Sequence, residues 1–150
     1  MYNVLLYVHI VCGVIWVGGA VTLQVLGIVA SRSKDSSDLP RVGRYAEFVG
    51  SRLFIPASII LFIAGVLMVL QAWNFGQLWV ALAVALWIAS ALTGAIYLGP
   101  TSKKVGQLFE AEGPESVAGR ARLNRLFMVS RLELVSFAVI VGLMVFKPGA

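Results

Sequence analysis

Four long runs of apolar residues, separated by polar segments, set the pattern of the chain: roughly Val4 to Ala30, Leu53 to Trp73, Leu78 to Leu98 and Phe127 to Phe146. Only Arg131 and Glu133 put charge inside a run, both in the first turns of the fourth. About 20 mostly apolar helical residues cross about 30 Å of hydrocarbon. A backbone in lipid must satisfy its own hydrogen bonds, and these runs are far longer than a barrel strand, so the pattern predicts transmembrane helices. The expected fold is all-α: a polytopic membrane protein whose residues 1–150 form a single antiparallel four-helix transmembrane bundle. The first run lacks a basic leader and exceeds the roughly 7 to 15 apolar residues of a secretory signal core, so it reads as a retained helix.

The segments between the runs differ in charge. Ser31 to Ser51 carries Arg32, Lys34, Arg41 and Arg44 with the turn formers Ser36, Ser37, Asp38 and Pro40. Pro100 to Leu126 carries Lys103, Lys104, Arg120, Arg122 and Arg125, with Gly113 and Pro114 in its middle, whereas Asn74 to Gln77 has no charge. The Lys/Arg bias assigns both segments, read as long loops, to the cytoplasm and both termini to the outside. Tyr2, Tyr7, Trp73 and Trp79 then form an aromatic belt at the outer interface.

Composition agrees. The chain is 59% apolar and 13% charged, against about 25% charge in soluble domains. Its net charge of +5 reflects loop bases rather than a basic folded surface, so no nucleic acid is expected as a partner. One cysteine excludes an intramolecular disulfide, and one histidine excludes a multi-histidine zinc or di-iron cluster. Any metal or cofactor is held by few side chains.

Two short matches in the same order point to a duplicated helix pair. W-V-G-G-A-V-T from Trp16 to Thr22 matches W-I-A-S-A-L-T from Trp87 to Thr93. The second and fourth helices both open on S-R-L, at Ser51 and Ser130, and close on L-M-V, at Leu67 and Leu143. Small residues at Gly18, Gly19, Ala89 and Ser90 would let the first and third helices approach closely.

His9 breaks the repeat, since its counterpart is Val80. With Cys12, Gly13, Trp16 and Ala20 it shares one helical stripe, and ionisable residues inside a membrane are functional candidates. At 1.5 Å per residue, His9 lies about 7 to 8 Å in from the outer end of its helix. Met68 reaches a similar level from the opposite direction, and Met144 is expected somewhat nearer the outer surface. A haem iron held by His9 alone, or by His9 with Met68 or Met144, fits this geometry. Lys147, Gln71, Asn74 and Gln77 lie just beyond, where they would receive the propionates. The alternative is copper, for which His9, Cys12, Met68 and Met144 are suitably soft ligands. Cys12 otherwise reads as a small buried apolar residue. At the opposite end Arg52, Arg131 and Glu133 are expected to form a charge cluster, as interfacial anchors or a gate.

L-Y-V-H-I-V-C-G-V-I-W-V-G-G, with His9, Trp16 and Gly18, resembles the first helix of the CopD/HemJ superfamily of small four-helix bacterial membrane proteins. R-L-F-I-P-A from Arg52 is similar to that family's second-helix opening, and R-L-E leading to V-F-K-P at Lys147 and Pro148 to its last helix. In overall likeness the nearest branch is one of predicted integral membrane proteins. The resemblance implies a protein of the bacterial cytoplasmic membrane. The HemJ branch comprises haem-containing protoporphyrinogen oxidases, which implies His9 as axial ligand to haem b. That branch has a lysine in its third helix, where Trp79 to Ala85 holds no basic residue. The function expected is therefore a haem-binding membrane protein with a redox role, in electron transfer or porphyrin-type oxidation, and as an enzyme a haem-dependent oxidoreductase. The alternatives are copper binding or transport, and a non-catalytic subunit packed against a larger membrane complex. Trp16 and Lys147 complete the expected cofactor pocket, and two chains pairing as a homodimer could each supply a His9 to a shared iron.

Overall fold

A computed structural model describes residues 1–33, 35, 37–113 and 115–150. These residues form four long helices: α1 (Tyr2–Arg32), α2 (Asp38–Ala72), α3 (Leu78–Glu112) and α4 (Val117–Phe146). Each is long and apolar enough to cross a membrane. Helix accounts for 89% of the described residues, and none of them is in a strand. α1 packs along α2, α3 along α4, and α1 also meets α4. Both termini and the α2–α3 turn lie at one end of this bundle, the terminal end; most of the Lys and Arg lie at the other, the basic end.

The helices outrun the apolar segments. The two basic stretches read as loops are largely helical: α2 begins at Asp38, α3 continues to Glu112 and α4 begins at Val117. Charge does not end a helix; Arg, Lys and Glu are good helix formers. Here they alternate with apolar residues at helical spacing, which bury a second core of Ala30, Leu39, Val105, Phe109 and Leu123, flanked by Val42 and Phe127. The real breaks have local causes. Gly113 ends α3 at φ 79, a conformation natural to glycine, and the Ser116 hydroxyl caps α4 by accepting the Gly119 N–H at 3.0 Å. In the α2–α3 turn the Asn74 carboxamide oxygen accepts the Gly76 N–H at 2.8 Å. The expected loop residues Lys34, Ser36 and Pro114 lie outside the described residues.

α2 and α3 each contain one widened turn, Gly50–Phe54 and Thr93–Leu98. There the Ile55 N–H reaches the Gly50 carbonyl and the Gly99 N–H reaches the Gly94 carbonyl, five residues back. Each widened turn is followed by a proline, Pro56 and Pro100. A proline ring cannot donate to the carbonyl four residues back and collides with it in a regular helix; widening the turn relieves the collision and lets both helices continue.

Aromatic rings seated on glycines fix how the helices slide past one another. Phe54 of α2 lies on Gly19 of α1, Phe127 of α4 on Gly27 of α1, and Phe109 of α3 on Gly119 of α4. The expected close approach of α1 and α3 through small residues is not what the structure uses. Gly18 has open space where a side chain would lie, Gly19 receives Phe54 and Ala89 is exposed. The Ser90 hydroxyl faces that of Ser136 on α4 at 3.4 Å. The hairpins α1–α2 and α3–α4 follow the order of the sequence repeat, but the widened turns in α2 and α3 do not.

At the basic end α2 and α3 cross backbone to backbone. A Cβ on Gly43 would sit 3.0 Å from the Gly106 Cα, whereas one on Gly106 would clear the Gly43 Cα by 3.7 Å. Arg44–Glu110 and Lys103–Glu47 ion pairs, the latter at 3.2 Å, flank the crossing. Gly43→Ala is therefore expected to destabilise the protein by about 1 to 3 kcal/mol through overpacking, while Gly106→Ala stays near wild type; thermal unfolding of both in detergent checks the asymmetry.

Candidate functional site

The interior stripe of α1 places His9, Gly13 and Trp16 along one wall of a cavity of about 700 Å³. Its remaining walls come from α2 with Gly65, Met68 and Trp73, α3 with Trp79 and Trp87, and α4 with Phe137, Met144 and Lys147. The volume falls in the range of about 300 to 1,000 Å³ usual for small-molecule and cofactor sites. Phe62 stacks on Trp87 at 4.0 Å between α2 and α3, and Trp16 meets Phe137 at 4.5 Å between α1 and α4.

His9 is the polar group of the wall. Its Nδ1–H donates to the Leu61 carbonyl at 2.8 Å; because a carbonyl can only accept, the proton of the neutral ring sits on Nδ1 and the Nε2 lone pair is left for another partner. The ring rests on Gly65, one helical turn after Leu61, where a Cβ would lie 3.1 Å from His9 Cε1 and 3.3 Å from Nδ1. This is the arrangement typical of ligating histidines, in which a backbone carbonyl orients the ring through the nitrogen that does not bind metal. His9 makes no other hydrogen bond among the described residues.

The ring-on-glycine contacts also set depth. With Gly27 level with Phe127, α4 brings Met144 to about the depth of His9; with His9 level with Gly65, Met68 lies about one turn nearer the terminal end. The order expected from sequence is thus reversed, because that estimate measured each methionine from the end of an apolar run, and the run ends do not lie level. Met144 packs against the core of Cys12, Trp16, Ala57, Leu61, Phe137 and Ile140. Cys12 sits in that core and does not line the cavity.

Toward the terminal end the cavity is bounded by cation and aromatic rings. Lys147 adopts a left-handed conformation, φ 45 and ψ 55, that stops α4. Its Nζ lies 4.1 Å from the Trp73 ring centre and 5.9 Å from that of Trp79, within cation–π range. Trp73 meets Trp79 edge-on at 5.4 Å, and its indole N–H donates to the Tyr2 hydroxyl at 3.3 Å. Tyr2, Trp73 and Trp79 thus come together as part of the cavity, whereas Tyr7 stands exposed.

The structure brings together His9, Trp16, Met68, Met144 and Lys147 around this one cavity. Of the residues expected to receive propionates only Lys147 lines it; Gln71 is exposed, and Asn74 and Gln77 are engaged in the hydrogen bonds of their own turn. The cluster expected at the basic end does not form: Arg52 and Arg131 are exposed, and neither makes an ion pair with Glu133 or any other described residue. The two arginines project outward while Glu133, two positions after Arg131, points about 200° around α4 from it and is half-buried.

Sequence reasoning missed Leu61, Gly65, Phe62 and Trp87. Gly65 carried a signal, since a lone glycine in a bulky apolar helix marks a close approach; a backbone carbonyl carries none. Among the described residues no group of three or more His, Cys, Asp or Glu side chains could hold a metal ion.

A family model matches residues 3–148, that of the family described as predicted integral membrane protein, DUF2269. The chain belongs to that family. The match establishes a membrane protein without reaching the CopD/HemJ superfamily. Neither the curated proteins nor the solved structures contain a match.

Because His9 is the chain's one histidine, imidazole ¹⁵N NMR of the untagged, cofactor-free protein labelled at histidine reads its tautomer directly. The expected spectrum has a protonated Nδ1 and an unprotonated Nε2; the opposite assignment would show that the ring does not donate to Leu61.

Proposed function

We propose that this DUF2269 membrane protein binds one b-type haem in the cavity between its helices, with His9 Nε2 as axial ligand, and serves a redox role in the membrane. The observation carrying this reading is the Nδ1–H···O=C bond to Leu61, which leaves Nε2 of a ring lining a large apolar cavity without a hydrogen-bond partner among the described residues. The donor set suits haem better than a bare metal ion. Porphyrin supplies four ligands of its own, so one or two protein donors suffice, and the described residues offer no cluster of three.

The haem would supply one-electron chemistry at its iron; the chain's own residues would hold it and set its surroundings. Met144, at about the depth of His9, is favoured over Met68 as a second axial donor. Lys147, held against Trp73 and Trp79 at the terminal end, would pair with a propionate. Trp16, Phe137, Phe62 and Trp87 provide flat apolar surface against which a macrocycle would pack. Without a basic residue between Trp79 and Ala85, electron transfer is favoured over porphyrin oxidation. The copper reading draws less support, since Cys12 lies outside the cavity lining. The basic end is assigned to the cytoplasm of a bacterial inner membrane and both termini to the outside by the Lys/Arg bias.

Protein purified in mild detergent from haem-replete cells is expected to show reduced-minus-oxidised bands that His9→Ala abolishes, with haem content falling at least about 10-fold, since loss of even a hydrogen-bonding partner of a metal ligand costs that much. Met144→Leu is expected to shift the spectrum or midpoint potential more than Met68→Leu. Unchanged haem in His9→Ala would overturn the ligand assignment; stoichiometric copper without haem would favour the copper reading.

A further inference from the structure

The carboxylates of the basic end are engaged among themselves and their neighbours, which leaves a specific set of cations uncovered. Asp35 accepts from the Ser37 N–H and hydroxyl at 2.8 and 2.7 Å, and Asp38 faces Arg41 at 4.0 Å. Glu47 pairs with Lys103, Glu110 with Arg44, and Glu115 with Arg120, while Glu112 accepts from the Ser116 hydroxyl. Of the seven acidic residues only Glu133 has no partner among the described residues. Arg32, Arg52, Lys104, Arg122, Arg125 and Arg131 are all exposed and make no ion pair there.

Two of these cations stand apart in depth. Gly19 is level with Phe54 and Gly27 with Phe127, so Arg52 falls beside residue 21 of α1 and Arg131 beside residue 23, about 3 Å apart in depth. α2 and α4, which carry them, both pack against α1. Beyond Arg52 the chain is free of charge from Leu53 to Ala72, about the 20 residues that span the hydrocarbon. Both guanidinium groups therefore lie at the hydrocarbon boundary, where phosphates of lipid headgroups reach them and a soluble macromolecule does not. Tyr45, exposed on α2 two turns ahead of Arg52, is a residue type that settles at that interface.

We propose that Arg52 and Arg131 are contacts for the phosphates of anionic phospholipid in the leaflet at the basic end, with Arg32, Lys104, Arg122 and Arg125 forming an outer ring of positive potential around them. Arginine suits this role because its planar fork donates two hydrogen bonds to one phosphate. The surface is independent of the cavity and of what the cavity binds.

Native mass spectrometry of the full chain in detergent, titrated with phosphatidylglycerol against phosphatidylcholine, tests it. The wild type is expected to retain phosphatidylglycerol preferentially. R52Q/R131Q is expected to lose about 30-fold in that preference, from about 1 kcal/mol per basic residue near an anionic surface, and R52K/R131K, which keeps the charge without the fork, to fall between it and the wild type. Equal retention of the two lipids by the wild type, or full preference in an R52Q/R131Q protein that melts like wild type, would overturn the proposal. Displacement of phosphatidylglycerol by millimolar inorganic phosphate would also overturn it, by assigning the site to a free anion.

Discussion

Rings seated on glycines set the relative depth of the helices in this bundle. Phe54 on Gly19, Phe127 on Gly27 and Phe109 on Gly119 are knobs into holes in which the hole is a missing side chain. In lipid no hydrophobic force draws helices together, so close packing and interhelical hydrogen bonds must do it. A flat ring against bare backbone gives both area and a fixed register. His9 on Gly65 follows the same scheme, with one addition: the ring that fills the hole also donates a hydrogen bond to the Leu61 carbonyl. One of the contacts that seat α1 against α2 is therefore the contact that orients the candidate ligand.

The cavity follows from where the helices part. At the basic end α2 and α3 cross at Gly43 and Gly106 and are stapled by ion pairs. At the terminal half they are bridged by large aromatic side chains, Phe62 on Trp87 and Trp73 on Trp79, with Val69 packed beside Trp79 and Val80. The widened turns at Gly50–Phe54 and Thr93–Leu98 fall between these regimes, on the same two helices. The glycine crossing closes one end, and indole rings hold the other open around His9, Met144 and Lys147.

The four spans and the helical character of the described residues were legible in the sequence because lipid imposes a length and a composition that few other environments do. His9, Met68, Met144, Trp16 and Lys147 could be placed near one another because each sits within a few turns of the same bundle end. The extent of the helices was not legible: Leu39, Val42, Val105, Phe109 and Leu123 form a second core whose apolar residues are too sparse to stand out beside the transmembrane runs. The relative depth of the two methionines was also misjudged, because register depends on Gly19, Gly27 and Gly65 meeting particular rings. Nor does a sequence show that Leu61 lends a carbonyl to a ring 52 positions away.

The measurement closest to the central claim is a haem count on the wild-type protein: a pyridine haemochrome assay with oxidised and dithionite-reduced spectra, followed by titration of any colourless fraction with haemin. The account expects about one haem per chain, or one per pair of chains if two His9 side chains share an iron, with a sharp reduced α band. A colourless, metal-free protein that binds no haemin would contradict it and leave His9 as a packing residue that ties α1 to α2.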